Sequence, residues 1–406
     1  MSTVRFSGEP APRACQAAGV ITTAIGPELL HGVLDAVDGE RGLLPQRLPA
    51  PARARNTDPQ LAGAQSQPSG VRVVFRTAAR TVELETLRTR IGLVGAPLRP
   101  DGAYDLLVDG RPAGSATTSG GKLLMTDPAT GEVTVTDGPP GPVRFTLPGR
   151  DALVEIWLPH NEITEVVALR TDAPVAVVPT GGRPVWLHHG SSISQGSNAA
   201  GPSTTWPALA ARTAGVELVN LGFSGSAMLD PFVARTLRDT PAAMISVKIG
   251  INVVNADLMR RRAFAPAVHG FLDTIRDGHP DTPLLVVSPV LCPIHEHTPG
   301  PGAPEVVDGR LRFRATGDPA EVAAGKLTLS VIREELARVV AGRTPQDPAL
   351  SHLDGRELYG DADAAELPLP DRLHPCPEAH LRMGERFARL VFGAGGAFHA
   401  AGPRDR

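Results

Sequence analysis

The sequence predicts an α/β protein in which an antiparallel β-sandwich precedes a parallel sheet with helices on both faces. Two patterns support this fold class, and they change over near residue 180. Before that point short strand-like runs follow one another between turn residues, and after it strand-like runs alternate with helical patterns. The length of 406 residues suits two domains. We predict a β-sandwich (jelly-roll-like) accessory domain over residues 1–178 and a second domain over residues 179–397.

The first half of the chain contains the strand candidates of the sandwich. Polar and apolar residues alternate in GVRVVFRT (70–77) and TVELETLRT (81–89), as expected of half-buried strands. The Asp-Gly pair in AYDLLVDGRPAGSA (103–116) is a hairpin signal. The series continues with the stretches 131–138, 142–149, 152–159 and 165–178. We predict a long loop over residues 50–70 and a linker at PTGGRP (179–184).

The second half contains the candidates for the parallel sheet. Apolar residues recur at helical spacing over 256–277 and 319–342, and a last helix is predicted over 377–392. Because parallel strands need crossover connections, this alternation predicts helices on both faces of one sheet. The strand candidates are PVWLHHG (184–190), VELVNLGF (216–223), AMISVKIG (243–250), PLLVVSPV (283–290) and LSHLDGREL (350–358).

Composition argues against several kinds of partner. With a net charge of −3 and no long basic run, the chain lacks the basic footprint that a nucleic-acid partner needs. No apolar run has the length of a membrane-spanning helix, and the N-terminal residues lack the apolar core of a signal peptide. We therefore expect a cytoplasmic protein with no membrane partner. The three cysteines, Cys15, Cys292 and Cys376, form no CxxC pair, so we expect free thiols and no structural zinc.

Four short stretches follow strands of the predicted sheet or precede its last helix. Ligands of open parallel sheets bind outside the carboxyl ends of the strands, so this topology would gather the four stretches at one edge. They are Gly190-Ser191-Ser192-Ile193 after the first strand, Ser224-Gly225 after the second, Gly250-Ile251-Asn252 after the third, and Asp371-Arg372-Leu373-His374-Pro375 before the helix.

The residue types in these stretches suit acyl transfer. A serine hydroxyl is a weak nucleophile until a base such as histidine takes its proton, and the histidine needs a partner to orient it. Asp371 lies three residues before His374, close enough for this role. Donors to an oxyanion could come from the backbone N–H groups of Ser192 and Gly225 and the side-chain amide of Asn252. A glycine at 225 would let the chain approach a substrate closely.

Together the four stretches resemble the signature blocks of the SGNH hydrolases, also called the GDSL esterase/lipase superfamily. The resemblance covers residues 184–395, implies a flavodoxin-like sheet, and extends to the two-domain bacterial form with an N-terminal β-sandwich. Ser191 stands where the family usually has aspartate, so the hydrogen bonding of that turn must differ. The site residues that the resemblance implies are Ser192 as nucleophile, Asp371 and His374 as its catalytic partners, and Ser192, Gly225 and Asn252 as the oxyanion hole.

Other polar residues near the predicted site have simpler explanations. Ser191 fits a helix cap or a turn. His188 and His189 lie at the end of the first strand, so we expect at least one of them to pack against the sheet. The His-Glu-His run at 295–297 could be read as a metal site, but catalytic zinc usually takes three protein ligands. We interpret that loop as a wall of the pocket and Cys292 as an apolar residue in it.

The predicted function is a serine-dependent carboxyl-ester hydrolase that forms an acyl-enzyme on Ser192 and needs no metal or organic cofactor. Its partner would be a small-molecule ester, and the sequence leaves the acyl group, the alcohol and the oligomeric state open. The alternatives are an acyltransferase that acts on a small-molecule alcohol and a non-catalytic binding protein of the same fold. Sugar-binding sandwiches usually present aromatic platforms, but residues 1–178 contain only one tyrosine, Tyr104, and one tryptophan, Trp157. We therefore favour a packing or site-shaping role for this region over sugar binding.

Overall fold

The computed structural model of the chain describes residues 19–127 and 129–399. Cys15 and the N-terminal residues on which the signal-peptide expectation rests lie outside the described residues. Two largely antiparallel sheets occupy the first half of the described chain, and a parallel sheet occupies the second. This arrangement confirms the predicted fold class, while the division into domains at residues 178 and 179 stays a prediction.

Most of the predicted strands are present in the first half, together with additional strands before residue 70 and one at 122–126. The strands in the described part of this half are β1 (Ile21–Thr23), β2 (Leu30–His31), β3 (Asp35–Asp38), β4 (Leu43–Gln46), β5 (Arg72–Thr77), β6 (Thr81–Leu93), β7 (Ala103–Val108), β8 (Arg111–Thr117), β9 (Lys122–Thr126), β10 (Val133–Thr136), β11 (Gly141–Thr146), β12 (Ala152–Trp157), β13 (Ile163–Thr171) and β14 (Val175–Val177).

These strands form two sheets. One has the order β10-β9-β6-β13-β4-β3, with β1 also paired to β13 and β11 to β6, and the other has the order β14-β5-β12-β7-β8, with β2 paired to β5. The pairing of β6 with β9 is parallel and is a local departure from the predicted antiparallel arrangement. Its cause is the path of the chain, which crosses to β7 and β8 in the other sheet before returning beside β6.

The two sheets share one apolar core. Val73 and Phe75 of β5 point into it, and they meet Leu84 of β6, Ile156 of β12 and Leu169 of β13 from both sheets. Alternate residues of a strand point to opposite faces, so Arg72 and Val74 cannot join this core. The period of two that predicted these strands is therefore the period at which they bury their side chains.

The outer face of β5 and β12 packs against the parallel sheet through charged residues. The Arg72 guanidinium lies 4.9 Å from the ring centroid of Trp157 and pairs with Glu155 (3.2 Å) and with Glu217 (2.6 Å) in the second half of the chain. Only 2% of Arg72 is exposed. Trp157 and Tyr104 are both buried, so neither offers the exposed ring that a sugar platform needs.

The loop predicted over residues 50–70 is wrong, because this stretch forms two helices, α1 (Ala50–Arg53) and α2 (Pro59–Ser66). Asp58 caps α2 by accepting a hydrogen bond from the Gln60 N–H at 3.0 Å, and Pro59 stands at the first helical position. Both helices are too short to display a clear helical period. Leu48 before α1 and the helical residues Ala52, Leu61 and Ala64 pack into the core of the parallel sheet.

The five strands predicted for the parallel sheet are all present. Their order, β16-β15-β17-β18-β21, is the order of flavodoxin-like sheets. A further two strands, β19 and β20, form a separate antiparallel hairpin that we did not predict. The strands are β15 (Val185–Gly190), β16 (Glu217–Gly222), β17 (Met244–Lys248), β18 (Leu284–Val287), β19 (Gly302–Val307), β20 (Arg310–Ala315) and β21 (Leu350–Leu353).

Helices cover both faces of the parallel sheet, as predicted. One face packs against α5, α7 and α9, and the other packs against α4 and α11. The helices of the second half, within the described residues, are α3 (Ser192–Gln195), α4 (Trp206–Ala214), α5 (Pro231–Asp239), α6 (Ile251–Asn255), α7 (Arg261–Gly278), α8 (Pro293–Glu296), α9 (Leu329–Arg343), α10 (Asp361–Glu366) and α11 (Pro377–Phe387), which continues as a π-helical turn over Ala388–Phe392.

The helix predicted over 319–342 begins later than expected, at Leu329. The chain before it forms a 3-10 turn at Pro319–Val322 and then reaches Gly325, whose φ of 93° cannot belong to an α-helix. Thr328 caps α9 by accepting from the Val331 N–H. Within residues 19–127 and 129–399, no helix combines the length and the apolar character that crossing a membrane requires.

Candidate active site

The four predicted stretches meet at the carboxyl edge of the parallel sheet. β15 ends at Gly190 and leads into α3, which begins with Ser192. β16 ends at Gly222, and a Cβ at either glycine would overlap the side chain of Ser194 in α3. The two glycines therefore allow α3 to lie directly on the strand ends, which places Ser192 at this edge.

Ser192 and His374 are in direct contact. Ser192 Oγ lies 2.9 Å from His374 Nε2, although the two residues are 182 positions apart in the sequence. They are largely buried, with 8% of Ser192 and 5% of His374 exposed. The hydroxyl of Ser191 is buried and has no hydrogen-bond partner among the described residues. Of the two adjacent serines, Ser192 is therefore the one beside a base.

Asp371 orients His374. Its Oδ2 lies 2.7 Å from His374 Nδ1, so Nδ1 carries the proton and donates it, which leaves Nε2 to accept from Ser192. Its Oδ1 accepts from the backbone N–H groups of Leu373 (2.9 Å) and His374 (2.7 Å). Arg372 bends the chain with a φ of 66°, in the left-handed region that side chains rarely adopt. This turn lets one carboxylate hold both the ring and the backbone.

The surroundings of Asp371 keep it ionised. Burial alone would raise the pKa of this carboxyl, but the hydrogen bonds from the ring and backbone of His374 and from Leu373 outweigh it and lower the pKa to about 2. Asn198 Nδ2 donates a further bond of 3.3 Å to Oδ2. The ring of Phe313 in β20 meets the His374 ring edge-on, with the centroids 5.8 Å apart. The sequence reasoning did not identify Asn198 or Phe313.

The three candidate oxyanion donors are available for a ligand. Asn252 lies in α6 with 2% exposure, and its Oδ1 accepts from the Ala227 N–H at 3.1 Å, which turns Nδ2 away from Ala227. Neither Asn252 Nδ2 nor the backbone N–H of Ser192 or Gly225 has an acceptor among the described residues. An oxyanion could accept from such donors. Their assignment as an oxyanion hole stays a prediction.

Gly225 is a glycine for a reason that we did not predict. Its φ is 73°, which disfavours a side chain, and a Cβ here would overlap the amide of Gln60 from α2. Gln60 Nε2 donates to the carbonyl oxygen of Ser224 at 3.2 Å. The space left by the missing side chain is therefore filled by a residue from the first half of the chain and is not open to a substrate.

His188 and His189 pack on opposite faces of the sheet, as the expectation for at least one of them required. His188 Nδ1 lies 2.7 Å from Ser246 Oγ and its Nε2 lies 2.8 Å from Ser194 Oγ. Burial lowers the pKa of His188 well below its usual range and the pKa of His189 to about 4. Both ring nitrogens of His188 face hydroxyls other than that of Ser192, so His374 is the histidine placed to act as its base.

The His-Glu-His run does not assemble a metal site. His295 is buried with its Nδ1 3.1 Å from the Thr298 carbonyl oxygen, and Glu296 pairs with Arg333. The described residues contain no group of three or more His, Cys, Asp or Glu side chains that could hold a metal ion. Cys292 is a free, buried thiol beside the backbone of Arg372, and burial raises its pKa to about 12, which makes it a poor nucleophile.

Part of the second half matches a known protein family. The family is described as the GDSL-like Lipase/Acylhydrolase family, and its match covers residues 183–292, the stretch that contains Ser192, Gly225 and Asn252. The recognition made from the four sequence stretches is therefore confirmed. The match to the GDSL-like family supports an enzyme that acts on acyl or ester groups.

Several solved structures share this architecture. The chain is 28% identical to the salicylyl-acyltransferase SsfX3 from a tetracycline biosynthetic pathway, with a TM-score of 0.73 over 92% of this chain and 97% of that one. A GDSL-like lipase from Bacteroides ovatus ATCC 8483 is 18% identical, with a TM-score of 0.62 over 91% and 96%. An active-site mutant of a family two carbohydrate esterase from Clostridium thermocellum is 12% identical, with a TM-score of 0.54 over 83% and 95%. No curated protein matches the chain in sequence.

These structural matches differ in what they support. The likenesses to the Bacteroides lipase and the Clostridium esterase, at 18% and 12% identity, are evidence for the fold alone. They nevertheless extend over both halves of the chain, so the combination of β-sheets followed by a GDSL-type α/β sheet recurs in other proteins.

Proposed function

We propose that the chain is a serine-dependent carboxyl-ester hydrolase that forms an acyl-enzyme on Ser192. One observation carries this proposal: Ser192 Oγ, the His374 ring and the Asp371 carboxylate form a continuous chain of hydrogen bonds of 2.9 and 2.7 Å. This arrangement gives the hydroxyl a base and gives the base an orienting anion. The substrate class is a small-molecule ester, and no step requires a metal or an organic cofactor.

In the first step Ser192 Oγ attacks the ester carbonyl carbon while its proton passes to His374 Nε2. Asp371 stabilises the imidazolium that forms, since its pKa of about 2 keeps it negatively charged. The carbonyl oxygen becomes an oxyanion, which accepts hydrogen bonds from the N–H groups of Ser192 and Gly225 and from Asn252 Nδ2. The bond to the alcohol oxygen then breaks, and that oxygen leaves with the proton from His374.

In the second step water takes the place of the alcohol. His374 Nε2 removes a proton from the water as its oxygen attacks the acyl carbon, and the same donors receive the oxyanion. The bond between the acyl carbon and Ser192 Oγ breaks, and Ser192 recovers its proton from His374. The acid product leaves and the enzyme returns to its starting state.

The pair of adjacent serines provides a direct test of the nucleophile. Ser192→Ala should lower kcat for p-nitrophenyl acetate at least about 10³-fold, because it removes the attacking oxygen. Ser191→Ala is the matched control, since the Ser191 hydroxyl is buried without a partner, and its kcat should stay within about threefold of wild type. Turnover that survives in a folded Ser192→Ala protein would remove the proposal.

A covalent probe separates an enzyme from a binding protein that has the same fold. A fluorophosphonate should react with the wild-type protein, forming a bond between Ser192 Oγ and phosphorus as fluoride leaves. Peptide mass spectrometry should locate the adduct on Ser192 and find none in Ser192→Ala. Failure of the wild-type protein to react would favour the non-catalytic alternative.

An acyltransferase is the second candidate. The similarity to the salicylyl-acyltransferase, at 28% identity over nearly the full length of both chains, is the observation that favours it. The acyl-enzyme half of the mechanism would be shared, and an alcohol other than water would accept the acyl group. Aromatic and aliphatic acyl thioesters should be supplied with polyhydroxylated acceptors, and the products weighed by mass spectrometry. Acylated acceptor in excess of free acid would favour transfer over hydrolysis.

A further inference from the structure

A buried arginine from the first half of the chain lies directly behind the candidate site. Arg47 follows β4 and is 1% exposed. Its guanidinium donates to the backbone oxygens of Asn220 (3.0 Å), Gly222 and Ala64 and to Gln195 Oε1 (3.2 Å). All of these acceptors are neutral. Arg47 therefore ties α2, the end of β16 and helix α3 to one another.

Burial of this cation without a carboxylate is unfavourable by itself. Desolvation lowers the pKa of Arg47 to about 9, which still leaves the guanidinium charged at neutral pH. The ring of Phe223, whose centroid lies 5.0 Å from Arg47 Cζ, offsets part of the cost through its π electrons. A buried charge held only by neutral oxygens needs good geometry from every one of them. The oxygens around Arg47 are therefore tied to one buried cation.

Gln195 connects Arg47 to the loop that contains Gly225. Its Oε1 accepts both from Arg47 and from the backbone N–H of Ser224 at 2.9 Å. Its Nε2 donates to the His160 carbonyl oxygen at 3.1 Å and to Gln67. With two donors at the oxygen and two acceptors at the nitrogen, only one orientation of the amide satisfies all four contacts.

Both backbone groups of Ser224 are held by side chains. Gln195 accepts from the Ser224 N–H, which belongs to the preceding peptide bond. Gln60 Nε2 donates to the Ser224 carbonyl oxygen at 3.2 Å, which belongs to the peptide bond with Gly225. In a planar trans peptide the carbonyl and the following N–H point in opposite directions. Anchoring the Ser224 carbonyl therefore also sets the direction of the Gly225 N–H, one of the candidate oxyanion donors.

We infer that Gln195 and Gln60, with Arg47 behind Gln195, are positioning residues that aim the Gly225 N–H at the oxyanion. This inference rests on the proposed function, and it assigns the first half of the chain a part in positioning an oxyanion donor. Two of the three positioning residues come from residues 47–67, which precede the parallel sheet in the sequence. They would act through Gly225 and would not touch the substrate.

The test compares replacement of Gln195 with replacement of Gln67, one of its hydrogen-bond partners. Gln195→Met keeps the volume but loses the acceptor for Arg47 and Ser224. The matched control, Gln67→Met, removes a partner of Gln195 Nε2 and leaves the Arg47 and Ser224 contacts intact. With p-nitrophenyl acetate, Gln195→Met should lower kcat about 10- to 100-fold with KM within threefold, because the donor acts on the transition state. Gln67→Met should stay within threefold of wild type in both constants.

A third variant guards against a folding defect in Gln195→Met. Gln60 is exposed, so Gln60→Ala should unfold at the wild-type temperature yet lower kcat about three- to tenfold. The inference is overturned if kcat stays within twofold of wild type in folded Gln60→Ala, if folded Gln195→Met loses only substrate affinity, or if Gln67→Met loses as much kcat as Gln195→Met. A wild-type protein without turnover would instead refute the proposed function, and this inference with it.

Discussion

Single residues set the geometry of the turn that carries the base. The left-handed conformation of Arg372 brings the Asp371 carboxylate back to two backbone N–H groups and to the His374 ring. These contacts explain why the carboxyl remains ionised despite its burial. The spacing Asp-x-x-His is therefore a structural requirement as well as a sequence motif.

Replacing Asp371 by asparagine tests this arrangement. Asp371→Asn removes the charge that stabilises the imidazolium and permits the wrong tautomer of His374, so kcat should fall about 10²- to 10⁴-fold with KM little changed. Steady-state kinetics with p-nitrophenyl acetate measure this effect. Activity near the wild-type level would show that His374 does not depend on Asp371.

The same substitution should change stability in a pH-dependent way. The pKa of Asp371 is about 2 in the folded protein and about 3.9 for an unperturbed aspartate in an unfolded chain. The folded state therefore gains stability from this carboxylate above pH about 4 and loses it as the pH falls toward 2. The difference in unfolding free energy between wild type and Asp371→Asn should shrink over that window in urea titrations. A constant difference would contradict the depressed pKa.

Among the elements, the hairpin of β19 and β20 contributes to the site although it lies outside the parallel sheet. Its residue Phe313 accounts for the edge-on contact with the His374 ring, and the Phe313 N–H donates to the Asp371 carbonyl oxygen at 2.9 Å. The hairpin thus contacts both partners of Ser192. It therefore packs against the base and holds the backbone of the residue that orients it.

Shortening the Phe313 side chain should loosen the base. Phe313→Ala should lower kcat about three- to tenfold, because small displacements of a catalytic group reduce the fraction of productive encounters. Phe313→Leu keeps an apolar group over the ring and serves as the control, with kcat within about twofold of wild type. Equal losses in both variants would mean that the aromatic contact does not restrain His374.

The sequence predicted those helices and strands that have a clear local pattern of apolar residues. The strands of the parallel sheet and the helices over 261–278 and 377–387 have strong apolar runs or clear helical periods, and the structure has them. α1 and α2 have only four and eight residues rich in Ala and Pro, so no period marks them. The hairpin is partly exposed along its length, so its apolar residues do not stand out.

The candidate site likewise contains residues that the sequence predicted and residues that it did not. Ser192, Gly225, Asn252, Asp371 and His374 could be chosen because each lies in a short motif at a predicted strand end or helix start, and the structure gathers them at one edge. Arg47 and Gln60 precede the sheet by more than a hundred residues in a stretch without a motif. Their role depends on tertiary contacts, which a single sequence does not reveal.

At the scale of the whole molecule, buried neutral histidines should make stability depend on pH. Burial lowers the pKa of His160 to about 3, those of His189 and His380 to about 4, and that of His188 well below its usual range. In an unfolded chain the pKa of each of these histidines is about 6.5. Below that pH the unfolded chain therefore binds more protons than the folded protein does. Stability should therefore decrease as the pH falls from about 6.5 toward 4.

A histidine variant isolates one of these contributions. The ring of His189 lies between those of Phe223 and Phe271, with centroids 5.8 Å from each, so His189→Phe should be accommodated. Urea unfolding at pH 7, 6 and 5 should show a weaker dependence of the unfolding free energy on pH than in wild type. Identical slopes for the two proteins would mean that His189 is not held neutral by the fold.

Residues 47–67 leave the sandwich and pack against the parallel sheet, and this has a consequence for protein engineering. A gene fragment that starts at codon 179 would encode Ser192, His374 and Asp371. It would omit Leu48 and Leu61, which pack into the core on one face of the parallel sheet, and it would also omit Gln60. Exchanging the sandwich for a foreign module would create the same deficit. A chimera that folds must therefore include residues 47–67 together with the parallel sheet against which they pack.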